Sequence, residues 1–179
     1  MINAPENGVE AVEGGPAPER IILLEHHHNA PLAALIRVVS AEYGLTADKG
    51  FSVADPGLDR LSEAYRQKGA GYWVLEDNAG GLLGGGGLGP MAGYDGVCEL
   101  QKMYLAASAR GMGLGRRLAL HVLQQARLLG YRYCYLETTA LLPEALALYQ
   151  KLGFAPCERL GSTGHHDCEI TLILPLGQL

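Results

Sequence analysis

The sequence predicts an α/β (α+β) domain with a central mixed, mostly antiparallel sheet flanked by about four helices. Three observations carry that expectation. A strongly periodic helix stands between two strands with no hairpin among them, which implies a right-handed parallel crossover. Hairpin chemistry precedes the crossover, and two further strands follow it, so the rest of the sheet is antiparallel.

The elements are read in chain order. Ile21 to Glu25 is a short apolar run and a first strand. Asn29 can cap a helix whose Pro31 suits an early position, with Leu32, Leu35, Ile36 and Val39 on one face and an end near Gly44. After the Asp55-Pro56-Gly57 turn, Leu58 to Tyr65 reads as a second short helix. Gly71 to Glu76 and Leu82 to Leu88 form a hairpin across Asp77 to Gly81, and Val97 to Leu105 is a longer strand carrying Glu99, Gln101 and Met103 on one face. Leu114, Leu118, Val122, Ala126 and Leu129 recur at helical spacing before the stop at Gly130. Tyr131 to Glu137 reads as a strand buried on both faces. Pro143 opens a last helix that closes at Gly153, and strands near Phe154 to Leu160 and Cys168 to Leu174 complete the chain.

Composition narrows the function classes. The length of 179 residues suits one domain, residues 20–179, behind a flexible acidic tail, 1–19, rich in Glu, Gly, Pro and Ala. The 14 Lys and Arg face 19 Asp and Glu, a balance that argues against nucleic acid, which wants a basic face. Four of the acids lie in the tail, so the folded body is close to neutral. No apolar run reaches the ~20 residues of a membrane span, and no signal-peptide pattern opens the chain, so it reads as cytoplasmic, without a membrane partner. The four cysteines lack C-x-x-C spacing and form no disulfide framework in that compartment.

The chemistry concentrates at Arg110-Gly111-Met112-Gly113-Leu114-Gly115-Arg116, between the strand ending at Leu105 and the periodic helix. A helix start offers unpartnered N–H groups and a partial positive charge, which suit a phosphate. Glycines remove the side chains that would hold an anion away, and Arg110 and Arg116 can add charge-assisted hydrogen bonds. A tight strand-to-helix turn would use glycines too.

This Arg-x-x-Gly-x-Gly pattern resembles the pyrophosphate-binding signature of the GNAT superfamily of acetyltransferases, and the order of elements from Ile21 onward matches that family's core. The resemblance implies a GNAT-like sheet whose parallel strand pair splays apart, and acetyl-CoA as co-substrate. Backbone N–H groups from Gly111 through Met112, Gly113, Leu114 and Gly115 to Arg116 would hold the coenzyme A pyrophosphate. The backbone of Met103 and Leu105 would pair with the pantetheine arm, and an N–H near Met103 would face the thioester oxygen. Ala147 to Phe154 resembles the family's Tyr-x-x-x-Gly-Phe segment, which implies Tyr149 as general acid for the leaving thiolate; a core aromatic would fit the same position. Glu99, eleven residues before Arg110, sits at an offset where several members carry the general base. An ion-paired structural glutamate is the bland alternative, and Glu137 on the neighbouring strand is the rival. One position departs from the pattern. Where many members carry an asparagine that helps bind coenzyme A, this chain has Leu142, leaving Thr138 or Thr139 to replace the contact.

Two further signals are set aside. Gly84 to Gly89 contains G-x-G-x-x-G but leads into no helix, so it reads as a flexible strand that lets something approach the backbone. His26, His27 and His28, with His165, His166 and Cys168, match no zinc module, and consecutive strand residues point to opposite faces, so no metal is expected. The expected activity is direct transfer of acetyl from acetyl-CoA to an acceptor amine, a small molecule or an amino acid. Its pocket would draw on Tyr43, Phe51 and the loop with His165 and His166. The alternative class is an acyl-CoA-binding sensor or structural module without turnover. Dimers are common in the family, which leaves a homodimer open.

Overall fold

A computed structural model describes residues 19–49, 51–161 and 168–178. Seven strands form one sheet in the order β1-β2-β3-β4-β5-β7-β6. They are β1 (Arg20–Leu23), β2 (Gly71–Glu76), β3 (Leu82–Pro90), β4 (Val97–Leu105), β5 (Tyr133–Thr138), β6 (Ala155–Pro156) and β7 (Ile170–Pro175). Every neighbouring pair is antiparallel except β4 with β5. The helices are α1 (Asn29–Glu42), α2 (Leu61–Ala64), α3 (Leu114–Leu128) and α4 (Pro143–Lys151). The expected mixed sheet, hairpin and crossover are all present.

Helices cover both faces of the sheet. The apolar stripe of α3, through Leu118, Val122 and Ala126, packs with Tyr149 and Leu152 against Leu88, Cys98, Leu100, Cys134 and Leu172. On the other face Leu32, Ile36 and Val39 of α1 and Leu61 of α2 meet Tyr72, Val74 and Tyr104. These fully buried aliphatic side chains each contribute about 1.5–3 kcal/mol relative to an exposed position.

Several local expectations give way to tertiary demands. Asn29 does not cap α1. It is the first helical residue, and its amide donates to Ser62 Oγ while its carbonyl oxygen accepts from the Ser62 N–H, both at 2.9 Å. It joins α1 to α2. The second helix is reduced to a 3₁₀ turn at Leu58–Arg60 followed by one turn of α2. β5 starts at Tyr133 rather than Tyr131, whose hydroxyl reaches back to the Gly69 carbonyl at 2.7 Å. Of the run from Phe154 to Leu160 only Ala155–Pro156 pairs, at the edge of the sheet. The tail lies outside the described residues except Glu19, whose carboxylate and carbonyl both meet Arg117.

Candidate active site

Two irregularities in β4 open the site. The first lies toward β5, where the parallel pairing runs only from Val97↔Tyr133 to Glu99↔Tyr135. Beyond that point both strands continue without each other, so main-chain groups of β4 face a notch. The second lies toward β3, where Gly87 faces Gln101 and Gly85 faces Tyr104. Gly86 alone therefore spans Lys102 and Met103, a β-bulge. Lys102 takes φ of 47°, the one positive value among the described non-glycine residues. The bulge reverses the expected alternation. Met103 packs toward α3 and over Gly86, on the face opposite Glu99 and Gln101, while Tyr104 turns to the α1 side. Strict period-2 reading fails at an extra residue.

A cleft of about 490 Å³ runs from this notch to the start of α3. Met103, Leu105, Gly111, Gly113, Gly115 and Arg116 line one side and Ala145, Leu148 and Tyr149 of α4 the other. Gly111 and Gly113 both hold φ of 76°, and a Cβ at either would meet no atom within 4 Å. They are needed for backbone conformation and leave the loop surface bare. Gly115 has a different task, because a Cβ there would stand 2.8 Å from Leu105 Cδ1, so it sets how closely α3 approaches β4. The first turn of α3 carries no acid and offers its N–H groups with Arg116 beside them. Those groups fit a phosphate. Leu114 is buried against Leu75 and Ala109, so it can present only backbone to a ligand, while the Met112 side chain stands exposed.

Arg110 is engaged elsewhere on the cleft wall. Its guanidinium donates to the Leu105 carbonyl at 3.0 and 3.2 Å, pairs with Glu42 at 2.6 Å and lies over the Tyr43 ring. The Tyr43 hydroxyl continues to Glu144 at 3.3 Å. Tyr43, read as part of an acceptor pocket, lines the cleft and ties α1 to α4 across it.

A smaller hollow of about 80 Å³ adjoins the inner end of the cleft. The two share Met103, Tyr104, Leu142, Ala145 and Tyr149. The hollow adds Phe51, Ser52, Glu99, Gln101, Lys102, Glu137, Thr139 and Cys168. Tyr149 is buried edge-on to Phe154, with ring centroids 5.7 Å apart. Burial, reinforced by Tyr104 and Cys134, pushes its phenol well above the ordinary range, so it stays protonated. Glu99 is 6% exposed, and its carboxylate accepts from the Gln101 amide at 2.6 Å. Glu137 is bound differently. It pairs with Arg159 at 2.6 Å and accepts from the Tyr135 hydroxyl at 2.7 Å. Lys102 pairs with Asp55 at 2.9 Å. Thr139 donates to Glu169, and Leu142 offers only apolar surface between the two spaces.

The histidine run is a 3₁₀ turn, not a strand, so the alternation argument does not apply to it. His27, His28 and Glu76 come together instead. His28 Nδ1 accepts the Glu25 N–H at 2.9 Å, which leaves the proton on Nε2 to donate to Glu76 at 3.0 Å, and Arg20 pairs with the same carboxylate. Both ring nitrogens are spent on hydrogen bonds. His165 and His166 lie outside the described residues. Sequence reasoning missed the bulge, the Arg110–Glu42 tie and the contacts of Gln101. A lysine at positive φ carries no sequence signal, and the bonds of Arg110 to Glu42 and of Gln101 to Tyr65 join residues distant in the chain.

Comparison with known proteins agrees with this geometry. Residues 38–154 match the acetyltransferase (GNAT) family model. The chain is 51% identical over 163 residues to the N-acetyltransferase YjgM of Escherichia coli (strain K12), covering 90% of this chain and 95% of that one. A GNAT-family acetyltransferase structure from Staphylococcus aureus Mu50 superposes with a TM-score of 0.77 at 20% identity, covering 89% of this chain and 99% of that one. The Salmonella typhimurium yncA structure, which holds its cofactor acetyl-CoA, gives a TM-score of 0.70 at 20% identity, covering 89% and 95%. No helix among the described residues is long and apolar enough to cross a membrane. The chain belongs to the GNAT family of acetyltransferases.

Proposed function

We propose that this acetyltransferase moves the acetyl group of acetyl-CoA directly to the amine of a small molecule or amino acid. One observation carries the reading. The glycine-lined cleft and the hollow holding Glu99 meet at Met103 and Tyr149, so cofactor and acceptor would enter from opposite sides. The coenzyme pyrophosphate lies on the α3 start, its pantetheine runs along the open edge of β4 at Leu105 and Met103, and the thioester reaches the junction. A neutral amine attacks the thioester carbonyl, and the N–H near Met103 stabilises the oxyanion that forms. The nitrogen proton passes to Glu99, directly or through water. As the C–S bond breaks, the Tyr149 hydroxyl donates a hydrogen bond to the departing sulfur. Its raised pKa suits a donor that never rests as a phenolate. Glu137, held by Arg159 and Tyr135, is structural in this reading. The hollow's size favours a slender amine over a folded protein surface.

The test is coenzyme release measured across a panel of small amines, amino acids and peptides. Turnover with a small amine, and no acetyl-enzyme by mass spectrometry after mixing with acetyl-CoA alone, is the expected result. Binding of acetyl-CoA without turnover by any amine would make the protein a sensor. An acetyl adduct on Cys98 or Cys134 that passes to the amine would overturn direct transfer.

A further inference from the structure

The glycine run of β3 has an unusual relation to its surroundings. A Cβ on Gly85 would lie 2.5 Å from Tyr72 Cε1. One on Gly87 would lie 2.5 Å from Tyr72 Cδ2 and 2.9 Å from Tyr65 Cε1, and one on Gly89 3.3 Å from Gln101 Oε1. Real Cβ atoms do not approach ring carbons so closely, so these glycines let two tyrosine rings and an amide lie against bare strand backbone. The rings of Tyr65 and Tyr72 stand 5.0 Å apart over that surface. Tyr72 donates to the Lys102 carbonyl at the bulge at 2.8 Å, which fixes the backbone next to Gln101. Tyr65 donates to Gln101 Oε1 at 3.0 Å, and Gln101 Nε2 donates to Glu99 Oε2 at 2.6 Å.

The polarity of this chain is forced. An ionised carboxylate can only accept, so the Gln101 nitrogen must face Glu99 and its oxygen must face Tyr65. Burial, with Glu99 and Asp55 adding to it, holds the Tyr65 phenol protonated and able only to donate toward that oxygen. We infer that Tyr65 and Gln101 are positioning residues for Glu99, and that Gly87 and Gly89 form the seat on which this hydrogen-bond chain is built. The inference rests on the reading of Glu99 as the base. It explains a glycine motif that leads into no helix. Locked in this way, the carboxylate keeps Oε2 on Gln101 at the wall of the hollow that both residues line. The other ionisable groups about it among the described residues are Tyr104, Tyr149, Glu137 and Cys168 around the hollow, Cys134 and Tyr135 on β5, Arg159 on Glu137, and Lys102 with Asp55.

Carbon-13 NMR titration of the glutamate carboxyls tests the inference without turnover, with the Glu99 resonance identified by its loss in Glu99→Gln. Removing a donor to the charged form should raise the Glu99 pKa by about one unit in Gln101→Leu and by a smaller step in Tyr65→Phe. With an amine found active in the panel, kcat should fall and the acidic limb should move up by the same step, while KM for acetyl-CoA stays unchanged. Gly87→Ala, if it folds, should match Tyr65→Phe. A Glu99 pKa unchanged in both Gln101→Leu and Tyr65→Phe overturns the inference. So does a limb that vanishes in Glu99→Gln yet stays fixed in those two variants. A limb that survives Glu99→Gln is a different failure, that of the base assignment, and with it the positioning role falls.

Discussion

The two halves of β4 carry the same kind of sequence and meet different fates. From Val97 to Glu99 the strand is paired on both sides, by β3 and by β5. From Lys102 to Leu105 it has β3 alone, and even that pairing is broken by the bulge. The locked half can hold a carboxylate in one orientation, because backbone on both flanks is fixed. The open half offers main-chain groups that nothing in the sheet claims. The proposed mechanism uses both, a fixed carboxylate and a strand edge without a β5 partner, and Glu99 and Met103 lie four residues apart on one strand.

The comparison is broken most severely at the junction. In the proposed mechanism Tyr149→Phe removes the hydroxyl that would meet the leaving sulfur, and loss of one well-placed donor should lower kcat by about 10²–10³. KM for acetyl-CoA should change little, since the ring still fills its place against Phe154. The acidic limb, which belongs to the locked half, should survive in that variant. An acid or donor must be protonated to act, and the raised phenol pKa keeps Tyr149 in that state to high pH, so the hydroxyl should impose no loss of kcat below about pH 10. Steady-state profiles of the two proteins, with one amine, decide both points.

Damage confined to the glycine loop at the start of α3, which shares the cleft with the open half, should appear in affinity. Gly113→Asp places a carboxylate where a Cβ meets open space, beside the expected pyrophosphate. Calorimetry should show acetyl-CoA binding weakened at least about tenfold, the factor that one charge-assisted contact supplies. The left-handed backbone adds a stability cost of about 1 kcal/mol, which a melting curve without ligand measures separately. Undiminished binding would place the phosphate elsewhere.

The smallest effect lies outside β4 and calibrates the rest. His121 of α3 packs against Trp73 with Nε2 buried and unpartnered, and burial lowers its pKa. The unfolded chain then binds more protons than the folded one. Stability contributed by neutral His121 is complete above the unfolded value near ~6.5 and is lost as pH falls below it. His121→Leu should therefore flatten the decline of melting temperature between neutral and mildly acidic pH. An unchanged slope would show that other groups cause the decline.

Much of this was legible in the chain. Leu114 to Leu128 announces α3 by period, Gly130 and Pro143 mark the bounds of neighbouring elements, and Arg110 to Arg116 marks the candidate cofactor loop by glycine spacing. These signals are local, so a single sequence carries them. What stayed hidden depends on partners far along the chain. Asn29 looks like a cap until Ser62 claims it, and nothing near Arg110 in the chain announces its pair with Glu42. Met103 was assigned to the face of Glu99 because nothing in the sequence records an inserted bulge residue. The same holds for Gly84 to Gly89, whose meaning lies in Tyr65 and Tyr72.

That glycine strand also bears on how the sheet is assembled. β3 is interior to the sheet, yet Gly84 to Gly87 bring no side chain to a hydrophobic nucleus and lose more backbone entropy on ordering than any other residues would. These glycines supply no apolar side chain to drive collapse, so the expected nucleus lies among the apolar β2 and the α3 crossover. Docking of β3 between β2 and β4, under the rings of Tyr65 and Tyr72, is then expected late, with φ-values near zero for the side chains of β3. Completion of the β4 half that carries Glu99 is expected to coincide with that docking.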